Sequence, residues 1–215
     1  MAKKRIIFYA CVVFSGWCFG QEAIPMRTSG DHSAGTEIDA IVSCVNAHRY
    51  MRDMSDAGEA FRDMSLQIRQ DVFPFISSNH IENIQFISAI NPSMSANAQY
   101  VIITATNVFC FLRPIGYVSA SNGIESDVKT ACSIEVNRAL DALKSVFLLG
   151  EQVKRTYTYD TSTAFIFVKT NQAFSCEYMM NMHQKGSRIC SAFNALNEAV
   201  VKIKNRVRME KMENK

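Results

Sequence analysis

Turn-forming residues are scarce in this chain: four prolines and nine glycines serve 215 positions. A fold of many short strands needs a turn every several residues, and glycine and proline supply most of them. The scarcity points to long helices with few connections.

The first twenty residues are read apart from the rest. Lys3-Lys4-Arg5 opens a basic start, Ile6 to Phe19 is an apolar run of fourteen residues, and Gly20 ends it. These are the three parts of a secretory signal peptide, with Cys18 and Gly20 at positions −3 and −1 of a cut before Gln21. A membrane-spanning anchor needs roughly 20 apolar residues, more than this run offers. Lipidation needs a small residue before its cysteine, whereas Trp17 precedes Cys18 and Cys11 comes too early. The expectation is a secreted or periplasmic protein with no transmembrane segment in the mature chain.

Removing that segment takes away three basic residues and leaves 20 Lys and Arg against 20 Asp and Glu. A formally neutral mature chain gives no electrostatic footing for nucleic acid. The roughly 195 residues that remain can bury a core of their own.

Along the mature chain, 21–35 read as a flexible lead and 36–208 as one helical domain, with a frayed tail at 209–215. Thr36 caps a first helix, in which Ile38, Ile41, Val42 and Val45 fall at helical spacing. Phe61, Met64, Ile68 and Val72 continue the stripe to a stop at Phe73-Pro74. A short helix spans 81–90, and another runs from Asn91-Pro92 to about Leu112. A long one runs from Ser126 or Asp127 to Gly150, and a further one ends near Gln184. Ser187 caps the last helix, whose buried stripe is Ile189, Phe193, Leu196, Val200, Ile203 and Val207. The expected fold is all-α, a disulfide-braced bundle of five to six helices. The alternative is α+β with a small hairpin near 155–170, because 156–159 alternate and 163–170 are rich in β-branched and aromatic residues.

Five cysteines remain after the leading segment: Cys44, Cys110, Cys132, Cys176 and Cys190. In an oxidising compartment they are expected to pair. Antiparallel helical hairpins would bring Cys176 level with Cys190, and Cys110 level with Cys132, leaving Cys44 as the odd thiol.

Catalytic signals are missing from the sequence. It has no glycine-rich phosphate loop, no Gly-x-Ser-x-Gly elbow, no HExxH and no Cys-x-x-Cys. Cys44 and His48 stand at i, i+4, a spacing at which an imidazole can activate a thiol, but no third orienting group is visible. No metal, cofactor or enzymatic activity is expected. The basic run Lys202, Lys204, Arg206, Arg208 and Lys211 reads as a solvated helix end. The function expected is binding of a partner protein or a contribution to a surface assembly. The alternative is a carrier for an apolar small molecule, held in a pocket of Phe109, Phe167, Phe174, Tyr178, Met182 and Phe193.

Overall fold

The apolar runs at 86–90, 100–104, 108–112 and 164–168 are strands. The computed structural model describes residues 32–93, 95–115, 127–153, 162–171 and 173–213. In chain order these form α1 (His32–Ala47), a short 3-10 helix (Arg49–Arg52), α2 (Asp56–Ser78), β1 (Ile84–Asn91), β2 (Asn97–Thr104) and β3 (Asn107–Pro114). There follow β4 (Val128–Ala131), α3 (Ile134–Leu148), β5 (Thr163–Thr170), β6 (Ala173–Met179) and α4 (Arg188–Glu213). The six strands make one antiparallel sheet in the order β4-β3-β2-β1-β5-β6.

Helices cover both faces of the sheet, so the inner strands are apolar on both sides. On one face, α1, the 3-10 helix and α2 pack on Ile87, Ala89, Tyr100, Ile102, Phe109, Phe111, Phe165, Phe167 and Tyr178. On the other, α3 and α4 pack on Phe86, Ile90, Val101, Ile103, Val108, Cys110, Ile166 and Val168. Each fully buried Phe, Ile or Leu of these layers contributes about 1.5–3 kcal/mol over its exposed state. Register slips by one residue at the start of β1, where Ile84 pairs with Thr104 and Phe86 with Ile103. Gln85 is the extra residue of this bulge, and it lets Ile84 share the α2-side face with Ile87 and Ala89.

The fold is therefore α+β, and the helical bundle expected from sequence is overturned. The helix expected over 81–90 is β1, and the one expected from Asn91 to Leu112 is the β2–β3 hairpin. The long helix from 126 begins instead as β4 and becomes α3 only at Ile134, closing at Gly150 with φ 70°. The helix expected after Ser162 is the β5–β6 hairpin. Its turn is at Asn171, downstream of the hairpin considered near 155–170, of which 154–161 lie outside the described residues.

Two physical reasons account for the difference. A strand buried on both faces loses the alternation of apolar and polar residues and becomes a continuous apolar run, which periodicity alone does not separate from a helix. The turns also use few glycines. Asn83 and Asn171 adopt left-handed φ values of 57° and 47°. Thr104 Oγ1 accepts the Asn107 N–H at 2.9 Å and closes the β2–β3 turn. Short polar side chains do here what glycine or proline does elsewhere.

Smaller boundaries move as well. α1 starts at His32, inside the segment read as a lead. α2 runs through Pro74 to Ser78 instead of stopping there, with Pro74 on its exposed side. α4 keeps its expected stripe, the Ser187 hydroxyl accepts the Cys190 N–H at 3.2 Å at its start, and the helix extends to Glu213.

The expected disulfides are likewise corrected, since all five described cysteines are free thiols. Cys176 packs on the α1/α2 side and Cys190 is buried in the α3/α4 core, with the sheet between them. Cys110 is paired across the ladder with Val128. Cys132 lies four residues further along, on the order of 13 Å at strand rise, where a disulfide needs Cα atoms within about 7 Å.

Candidate functional site

Polar chemistry gathers along the seam between α1 and the edge strand β6. β6 pairs with β5 along its whole length and is an edge strand, with no further strand beyond it among the described residues, and α1 packs along it. Alternation along β6 sends Cys176 and Tyr178 toward α1 and α2, while Glu177 points the other way at the sheet's margin.

α1 ends beside this strand, and His48 begins the 3-10 helix as its cap. Its Nδ1 accepts the Tyr50 N–H at 3.3 Å, its ring stacks on Phe61 at 4.6 Å, and its Nε2 faces Glu177 Oε1 at 3.9 Å. Because Nδ1 is an acceptor, the neutral ring carries its proton on Nε2. Burial, with a smaller push from the Arg49 charge, brings the imidazole down to about 4, so His48 is neutral at ordinary pH.

Arg49 joins the two helical layers around the sheet edge. It donates from Nη1 to Gln152 Oε1 at 2.6 Å, and from Nη2 to the Val153 carbonyl at 3.0 Å and to Glu177 Oε1 at 2.8 Å. Gln152 and Val153 follow α3, so one guanidinium ties the 3-10 helix on one face to the end of α3 on the other. Burial pushes the Glu177 carboxyl up to about 7, against the pull of Arg49 and of the Tyr178 and Val153 N–H groups toward ionisation. Desolvation outweighs a close cation here, and Glu177 holds its proton into the neutral range.

Two thiols complete the seam. Cys44, one turn before His48, meets Cys176, whose Sγ lies 3.5 Å from the Cys44 carbonyl. A hydrogen bond from the Cys176 thiol holds Cys44 below the usual thiol range, with burial acting in the opposite sense. The same bond, with burial, drives Cys176 up. Cys44 and His48 are thus brought to one seam without forming a thiol–imidazole pair.

The other sequence-selected residues are spread over the molecule. Phe109, Phe167 and Tyr178 lie in the α1/α2-side core with Phe174 packed against it, whereas Met182 and Phe193 lie in the opposite core. The sheet separates the two sets. Cys110 is buried, which lifts its thiol to about 11, and Cys132 donates to Asn137 at 3.0 Å. Sequence reading missed Arg49 and Glu177. The signal for Glu177 was a lone carboxylate inside the apolar stretch 174–180.

Surface grooves among the described residues include three that are lined by titratable or amide side chains. One, about 690 Å³, runs between α2 and the end of β3 and is lined by Asp63, Leu66, Gln67, Gln70, Asp71, Pro114 and Ile115. A second, about 340 Å³, carries Lys144 and Lys169. A third, about 310 Å³, lies beside α4 and includes His183 and Glu198. None of them opens on the Arg49–Glu177 pair. Among the described residues no group of three His, Cys, Asp or Glu side chains could hold a metal ion, and no helix is long and apolar enough to cross a membrane. Comparisons with protein families, curated proteins and solved structures find no match to this chain.

Proposed function

We propose that this chain is an exported, non-catalytic domain that binds a protein partner in the groove between α2 and the end of β3. The observation that carries this reading is the make-up of that groove. Leu66 stands 54% exposed at the middle of α2, beside Pro114 and Ile115, with Asp63 and Asp71 contributing two carboxylates and no cation among the described residues of the lining. Pro74 has no N–H to donate, so the Gln70 carbonyl lacks its usual helical partner on the same stretch of α2. Apolar contact ringed by acceptors suits a polypeptide segment that presents an Arg or Lys next to an aliphatic or aromatic side chain. The occupant is a partner segment of that kind.

The test is native mass spectrometry of the protein recovered from the compartment in which it accumulates. The expected result is a polypeptide partner whose occupancy falls at least tenfold in Leu66→Arg and in Asp63→Lys. Both positions are exposed on α2, so the variants keep the fold. Retention of a small apolar molecule in place of a polypeptide overturns the reading in favour of a carrier. A partner held equally by both variants overturns the choice of groove.

A further inference from the structure

We propose that Cys44 and Cys176 are a paired redox site, closed by a disulfide-bearing oxidant into a covalent link between α1 and the edge strand β6. This inference does not rest on the partner reading above. It concerns a pair that sequence spacing did not select, in a protein whose described thiols are all free.

Three observations support it. The Cys176 thiol donates to the Cys44 carbonyl at 3.5 Å across the α1–β6 seam, so its sulfur lies against the residue it would bond. Both side chains are only partly buried, so an oxidant can reach the seam, whereas Cys110 and Cys190 are buried. The remaining thiols have other neighbours: Cys132 meets Asn137, and Cys190 meets Met179 and the Asn181 carbonyl. The bond from Cys176 also favours a thiolate on Cys44, the form that attacks a disulfide.

The exchange balances in two steps. Cys44 thiolate attacks one sulfur of an oxidised low-molecular-weight or protein disulfide, forming a mixed disulfide and releasing one thiol of the oxidant. Cys176 then loses its proton and attacks the Cys44 sulfur. The Cys44–Cys176 bond forms, the second oxidant thiol leaves, and two electrons pass from the protein to the oxidant. Cys176 is the resolving thiol because its proton is the harder to remove. The link closes a chain segment of more than a hundred residues, so its main effect is on the unfolded chain.

The experiment equilibrates the native full-length protein with mixtures of oxidised and reduced glutathione, followed by alkylation and non-reducing peptide mapping. The expected product is a 44–176 cross-linked peptide, with Tm raised by roughly 5–15 °C and returned by reductant. In Cys176→Ser the glutathione adduct on Cys44 is expected to persist at least tenfold longer than in the unaltered chain, because nothing resolves it. This second readout holds even if the link leaves Tm unchanged. Full alkylation of both Cys44 and Cys176 under oxidising poise overturns the proposal. So does a cross-link from either to another cysteine or to a second chain.

Discussion

The two sides of the sheet are built from different materials. Among the described residues, the α1/α2 side buries nine aromatic rings, among them Phe61, Phe165, Phe167 and Tyr178, whereas the α3/α4 side buries only Phe86 and Phe193 among aliphatic residues. Rings bring polar tips and edges with them. The aromatic side accordingly holds the Tyr100–Asp71 bond, the His48–Phe61 stack and the Cys44–Cys176 contact. The aliphatic side is drier, and its two buried thiols have high pKa values set mainly by desolvation. Rigid rings touching one another make a side of the sheet where one truncation exposes several neighbours, while flexible aliphatic chains can partly close a gap.

The sharpest way to break this contrast is a pair of truncations. Phe165 is fully buried and contacts Phe61, Phe167 and Tyr178 with ring centres 4.9, 4.6 and 6.2 Å away. Phe165→Ala is expected to cost about 4 kcal/mol and Leu143→Ala on the other side about 3 kcal/mol, measured by chemical denaturation. A larger loss at Leu143 would remove the claim that the aromatic side is the less forgiving.

Next in size is a difference in pH response, confined to the aromatic side and its edge. Glu177 is raised from 4.5 to about 7 in the folded chain. Its contribution is complete below pH 4.5 and is lost as pH rises to 7. His48 is lowered from 6.5 to about 4. Its contribution is complete above pH 6.5 and is lost as pH falls toward 4. Between these limits the two slopes oppose each other, each at most about 1.4 kcal/mol per pH unit, and less for His48 after solvent screening. The unaltered chain is therefore expected to be nearly level in stability from pH 4.5 to 6.5. Glu177→Gln leaves stability climbing with pH across that window, and His48→Asn, which keeps a cap acceptor, leaves it falling. Parallel curves for the three proteins would show that the pair does not titrate against itself.

The smallest effect tests a single polar tip. Tyr100 is 1% exposed, its hydroxyl donates to Asp71 Oδ2 at 2.6 Å, and its ring stacks on Phe111. Tyr100→Phe keeps the stack and removes the donor, with an expected cost of about 1 kcal/mol in denaturant unfolding. No measurable change would mean that Asp71 recovers an equal partner from water.

The same contrast shows what the sequence made legible. α4 could be read because only one face of it is buried, and its apolar positions from Ile189 to Ile203 keep helical spacing. The first two helices were legible for the same reason, apart from Pro74, which α2 tolerates on its exposed side. The strands were not legible. Val101 and Ile102 face opposite cores, as do Ile166 and Phe167, so local pattern has no polar face to report. The seam was half visible. Cys44 and His48 stood one helical turn apart in the sequence, but Cys176, Glu177 and the groups that hold Arg49 come from more than a hundred residues away. Only pairing of β5 with β6, and of that hairpin with β1, brings them there.

The extra residue at Gln85 has a consequence for how this protein can change length. Loss of one residue within an inner strand, at Ser88 for example, turns every side chain on one flank of the break toward the wrong core. Loss of Gln85 would leave Ile84 opposite Thr104 and on the α2-side face, in regular register with Phe86, and would give up only the Lys144 contact to Gln85 Oε1 at 3.0 Å. Among the described residues, the sheet thus has a point where its count of residues is negotiable, at the entrance to its first strand, and homologous chains that differ in length inside the sheet are expected to differ there.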